Sequence, residues 1–153
     1  MILEYILNAF CILALTFLWT ITLKNYKTLP TIIPVHFDLD GNADRHGNKR
    51  MMFFGPVFCT VFFAFVLWVS QFPESFNFPV KINEGNAERQ EMIAKVFVKW
   101  LAFILTLIFI NSQEFLLRFV SNPSAKARFS LFSILAVVFL SVAAVIIVAA
   151  VLK

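Results

Sequence analysis

Four long apolar blocks, residues 2–23, 51–70, 96–117 and 129–152, constrain this chain more than any other feature. Each approaches or exceeds the ~20 residues that cross a bilayer as a helix. Buried helices of a soluble bundle keep a polar face, and these blocks have almost none. Sixty per cent of the 153 residues are hydrophobic and only 14% are charged, against roughly 45–50% and 25% in soluble domains. Lipid leaves only helices or closed barrels as spanning structures, and the period-two alternation of barrel strands is absent. The expected fold is therefore an all-α integral membrane protein. Four transmembrane helices form a single bundle over 1–153, with one ordered polar loop between helices 1 and 2.

The first block has no basic leader and no small-residue cleavage site, so it reads as a retained span rather than a signal peptide. The net charge of +4 is diffuse and contains no basic run, which argues against nucleic acid as a partner. Cys11 and Cys59 lie inside spans with no metal-ligand spacing and read as packing residues. In block four, Ala136, Ala143 and Ala150 repeat every seven residues. Such a stripe admits a close helix neighbour, within the bundle or in a homodimer. The polar connector 71–95 turns helical toward its end, with Asn86 as a cap and Glu91 and Lys95 as an i, i+4 pair. Lys95, Lys99 and Trp100 should mark the membrane boundary by snorkelling and aromatic anchoring.

With four spans, loop 24–50 and the 118–128 turn share one side of the membrane. That side holds Lys24, Lys27, Arg45, Lys49, Arg50, Arg118, Lys126 and Arg128, against Lys81, Arg89, Lys95, Lys99 and Lys153 opposite. Eight cations against five favour a cytoplasmic loop.

The chemistry is concentrated in residues 29–49, which hold both histidines, three of the nine acids, two of the four glycines and two of the six prolines. Asp38, Asp40, Asn42 and Asp44 alternate like the start of a calcium loop, but Ala43 and Lys49 stand where glycine and glutamate are required. His36 and Asp44, with Asp38 or His46, remain weak candidates for a transition metal. A second reading is a rigid cap. Pro30 and Pro34 restrict the backbone, Gly41 and Gly47 suit positive φ, and Asp38 and Asp44 bond to loop amides or pair with Lys49 or Arg45. A third joins the loop to Asn111, Glu114 and Arg118, one stripe of helix three on the same membrane side. Glu114 and Arg118 either form an i, i+4 ion pair or face His36, Asp38, Asp44 and Lys49 across a shallow ligand-binding pocket. No nucleophile–base constellation accompanies these groups, so the chain is read as a non-enzyme without a cofactor.

The string Leu29-Pro30-x-x-Ile33-Pro34-x-His36-Phe37-x-x-x-Gly41-x-x-Asp44-x-x-Gly47-x-Lys49 resembles the signature of a bacterial membrane family of unknown function. The same module forms the N-terminal part of SdpI-type immunity proteins. The segment from Pro79 to Gln90 is similar to that family's second connector. The resemblance implies Pro30, Pro34, His36, Phe37, Gly41, Asp44, Gly47 and Lys49 as signature positions. It implies a multi-pass protein of the bacterial inner membrane that recognises a toxic peptide or a regulatory protein, in immunity or signalling. The longer immunity proteins have about six spans, so their C-terminal half has no counterpart in these four. The competing function is a small transporter or metal-dependent membrane hydrolase using His36, Asp44 and Glu114.

Overall fold

The structure, a computed structural model, describes residues 2–153. Helix α1 runs Ile2–Tyr26, followed by strands β1 (Ile32–Phe37) and β2 (Ala43–Asn48). A 3-10 turn at Lys49–Phe53 leads into α2 (Phe54–Val69). After a second 3-10 turn at Pro73–Ser75 come α3 (Ala87–Ser121) and α4 (Leu131–Val151). Four helical segments are long and apolar enough to cross a membrane, the second counted from Lys49. At ~1.5 Å per residue, the 35 residues of α3 exceed a ~30 Å hydrocarbon core, so the helical end of the connector continues into the span.

The expectation of an all-α chain fails between α1 and α2. Residues 24–50 are not an irregular loop there but contain an antiparallel hairpin of β1 and β2. Ile32, Ile33 and Val35 supply the β-branched side chains that favour a pleated surface. Pro34 hides the strand from a reading that treats proline as a strand breaker, yet it sits in an edge position where proline is tolerated.

Helix α3 is the hub. Cys11, Leu15 and Leu18 of α1, Cys59, Phe63 and Val66 of α2 and Ala102 of α3 form one buried cluster. Both cysteines are free and buried. Polar groups stitch the helices at intervals. Gln113 Nε2 donates to Thr22 Oγ1 at 3.1 Å, and Trp19 Nε1 donates to Thr60 Oγ1 at 3.0 Å. Lys99 does not snorkel outward as expected. Its ammonium is buried and donates to Glu4 Oε2 at 2.7 Å. A long ammonium inside a bundle is stable only beside an anion, and Glu4 on α1 supplies it. Trp100 gives its indole N–H to Ser141 Oγ at 2.9 Å, where an interfacial anchor was expected. Asn86 precedes α3 without capping it; its side chain bonds Asn83 N–H and the Lys81 carbonyl instead. Glu91 and Lys95 do pair, at 3.9 Å.

Helix α4 packs against α3 through Ser141 and the buried Ala149. Ala136, Ala143 and Ala150 are exposed, so this stripe does not serve packing within the bundle. Gly55 of α2 lies against Phe109 of α3: a Cβ there would lie 2.8 Å from Phe109 Cδ1. Gly55→Ala should push the helices apart and destabilise the fold by about 1–3 kcal/mol, read as a lower thermal midpoint in detergent.

Candidate functional site: the hairpin between α1 and α2

The hairpin is fixed at its root, along its underside and at its tip. At the root, the α1 carbonyls left unpaired at the helix end need donors. Lys49 provides one: its ammonium donates to the Tyr26 carbonyl at 3.0 Å and, beyond the helix, to the Leu29 carbonyl at 2.9 Å, and lies 4.8 Å from the Tyr26 ring centroid. A cation at a helix C-terminus also complements the macrodipole. Beneath the sheet, Leu29, Ile33, Met52 and Leu116 are buried together. Phe37 meets Phe115 with ring centroids 4.4 Å apart and Phe119 at 5.0 Å.

At the tip, Asp38 organises the turn. Its Oδ1 accepts from the Asn42 amide at 2.8 Å and the Asp40 amide at 3.0 Å, and its Oδ2 from Asn42 Nδ2 at 3.1 Å. Gly41 adopts φ +86°, a region that favours glycine. Gly47 has no positive φ, contrary to expectation; it sits under Val35, whose Cγ1 would be 3.1 Å from an added Cβ. The amide and side chain of Asn42, with the Asp40 and Gly41 amides, hold the Asp38 carboxyl below the ordinary carboxylate value. A depressed folded value means that turn stabilisation is complete above about pH 4 and is lost as pH falls through the lowered value. Protection of the amides of residues 38–42, referred to the intrinsic exchange rate at each pH, should therefore fall in acid, and Asp38→Ala should abolish that pH dependence of protection while lowering protection at neutral pH.

The strand register slips on both sides of His36. Pairing runs Pro34 with His46, His36 with Arg45 and Phe37 with Ala43, leaving Val35 extra on β1 and Asp44 extra on β2. Bulges of this kind re-aim side chains. They bring His36, Asp44 and Arg45 around one open cavity of about 360 Å³. His36 Nδ1 lies 2.6 Å from Asp44 Oδ1, and both side chains are about half exposed, at 56% and 46%. An Nδ1–H donated to the carboxylate leaves Nε2 as the free ring nitrogen, set by its partner. Arg45 has no ion pair among the described residues.

Several expected pairings are replaced. Asp44 takes His36 rather than Lys49 or Arg45, because Lys49 is committed to the end of α1. Asp38, by contrast, takes loop amides as expected, those of Asp40 and Asn42 together with the Asn42 side chain. The Asn111–Glu114–Arg118 stripe does not face the hairpin's polar groups: no hydrogen bond or ion pair joins them among the described residues. Asn111 instead brackets Phe129, donating to its carbonyl and accepting from its amide, both at 3.2 Å. Glu114 pairs with Arg128 Nε at 2.8 Å and not with Arg118, whose Nε donates to the Glu114 carbonyl. The physical reason is helical phase: Phe115 and Phe119 meet the hairpin, and the neighbouring stripe turns to the α3–α4 connector. His46 is exposed on β2 and Pro30 on the lead-in to β1. Among the described residues, no group of three or more His, Cys, Asp or Glu side chains converges with metal-holding geometry.

Arg45 was visible in the sequence only as a possible counter-ion; its place beside His36 depends on the bulge. The segment bounded by the middle of α1 and the first half of α2, hairpin included, also matches a known family model. The chain carries a DUF1648 domain, a domain of unknown function, at residues 11–60. The DUF1648 segment thus contains the Lys49 clamp, the Asp38 turn and the His36–Asp44–Arg45 cluster. Of α3, its principal support, it contains nothing. No curated protein and no solved structure matches the chain.

Proposed function

We propose that this chain is a multi-pass protein of the bacterial inner membrane that recognises a peptide at the membrane surface, in an immunity or signalling role. One observation carries the reading. Asp38, Lys49 and Phe37 are consumed in holding the hairpin rigid, whereas His36, Asp44 and Arg45 converge on its exposed side, with Arg45 unneutralised. Rigid presentation lowers the ordering cost of binding. The SdpI-like spacing of residues 29–49 supports the immunity role. A bacterium sensitive to membrane-active secreted peptides should survive challenge when it expresses the chain. His36→Ala and Asp44→Ala should each remove protection while membrane levels of the protein, followed by blotting, stay unchanged. Unaltered survival in both variants would reject the hairpin as the recognition site.

The metal-dependent hydrolase and small-transporter readings have less support. They need Glu114 near His36 and Asp44, and Glu114 is occupied by Arg128 on another face of α3. Metal content of the purified protein, compared with that of the His36→Ala and Asp44→Ala variants, separates them from recognition.

A further inference from the structure

The hairpin has two outer edges, and they are not alike. The sheet contains only β1 and β2. Strand β1 is in contact with α3 and with the 3-10 turn, whereas β2 has no comparable neighbour besides β1. Lys49 N–H donates to the Thr31 carbonyl at 2.9 Å, which makes Thr31 and Lys49 a hydrogen-bonded pair. Bonded and non-bonded pairs alternate in an antiparallel ladder. Ile32 with Asn48, and Pro34 with His46, are therefore non-bonded pairs whose backbone groups point away from the partner strand. On β1 the outward positions are held by Ile32 and by Pro34, which has no N–H to offer. On β2 they are held by His46, with both N–H and C=O available, and by the Asn48 N–H. One edge is interrupted by proline; the other offers an N–H at each outward position.

We propose that the open edge of β2 is the docking rail for the partner, which adds to the hairpin as an extended strand. This rests on the recognition reading above and specifies its partner. Strand alternation dictates the chemistry of the added segment. Side chains on the side of Ile33, Val35 and Phe37 continue the apolar underside of the sheet, toward the bundle end and its surrounding lipid. Side chains on the opposite side fall beside Arg45. Asp44 is already paired with His36, and Arg45 has no carboxylate among the described residues. The occupant is accordingly an extended peptide of alternating apolar and polar residues with an acidic group opposite Arg45.

The test uses the full chain in nanodiscs and a fluorescein-labelled decapeptide of alternating valine and threonine with one central glutamate, followed by anisotropy. Saturable binding is expected. His46→Pro removes the outward N–H at a position that bonds nothing in the hairpin. It should weaken binding about tenfold or more, while His46→Ala should leave it nearly unchanged. N-methylation of alternate amides in the peptide should cause a similar loss with unmodified protein, so the result does not depend on folding of the proline variant. Lysine in place of the central glutamate should weaken binding several-fold, and Arg45→Glu should reverse that preference. Absence of saturable binding overturns the proposal, as does equal binding of the N-methylated peptide. A dimer dissolved by His46→Pro overturns it too, because the rail would then be filled by a second copy. Loss of protection in His36→Ala with unchanged binding in His46→Pro would defeat the rail and leave the recognition reading standing.

Discussion

Lys99→Met lowers the stability of the bundle by about 1.5–3 kcal/mol, the usual contribution of a hydrogen bond to a charged group. The Lys99 side chain is 6% exposed and that of Glu4 20%. The ammonium bridges α1 to α3 at the end of the bundle opposite the hairpin, 2.7 Å from Glu4 Oε2. Its backbone carbonyl also accepts a weak bond from Cys11 Sγ at 3.6 Å, so the same turn of α3 is fastened to α1 twice. Removing the charge alone puts an apolar neighbour where Glu4 had its buried ammonium. Removing both charges, as Lys99→Met with Glu4→Gln, should recover much of the loss, since an ion pair can often be exchanged for packed neutral groups at little cost. Thermal unfolding of the purified protein in detergent checks both values. A single variant as stable as the parent would mean that the pair contributes nothing to holding α1 on α3.

Lys49→Met acts at the other end and through the hairpin. It deletes two charge-assisted hydrogen bonds and a cation–π contact. Each such bond contributes about 1.5–3 kcal/mol, and the Tyr26 contact about 0.5–1 kcal/mol at a partly exposed site. Water reaches the freed carbonyls, so a net loss of about 3 kcal/mol is expected. The loss should be local. Amides of residues 30–49 should exchange much faster, while α2 and α4 remain protected. Lys49→Arg should recover only part of the protection, because a planar fork does not reach two carbonyls as a compact ammonium does. A uniform loss of protection along the whole chain would show that Lys49 supports the bundle and not the hairpin.

The four long apolar helices were legible because a run of apolar residues of that length is read directly from the sequence, and α1 and α4 end within a few residues of their apolar blocks. The hairpin was not, although Ile32–Phe37 is rich in strand formers. Its proline is compatible with a strand only at an outward-facing edge position, and nothing local reveals which positions face outward. Residues 29–49 stood out in the sequence as the polar segment between apolar blocks, but the pairings within them did not. Lys49 looked like a counter-ion for nearby acids; its partners are carbonyls 20 and 23 positions earlier. Glu114 and Arg118 have the spacing of an ion pair, yet Arg128 reaches Glu114 first because the α3–α4 connector folds back through Phe129 onto Asn111. Lys99 carried the signal of an interfacial residue, and only the placement of Glu4 on a neighbouring helix accounts for its burial. In each case the missing information was a long-range contact.

The central claim is that the hairpin's exposed side is where this protein meets its partner. Amide hydrogen exchange on the nanodisc-embedded chain tests it most directly, with and without a peptide against which expression protects cells. The account predicts added protection centred on residues 43–48 and absent from α4. Protection that appears on α4, or in the 71–86 connector with the hairpin unaffected, would contradict it.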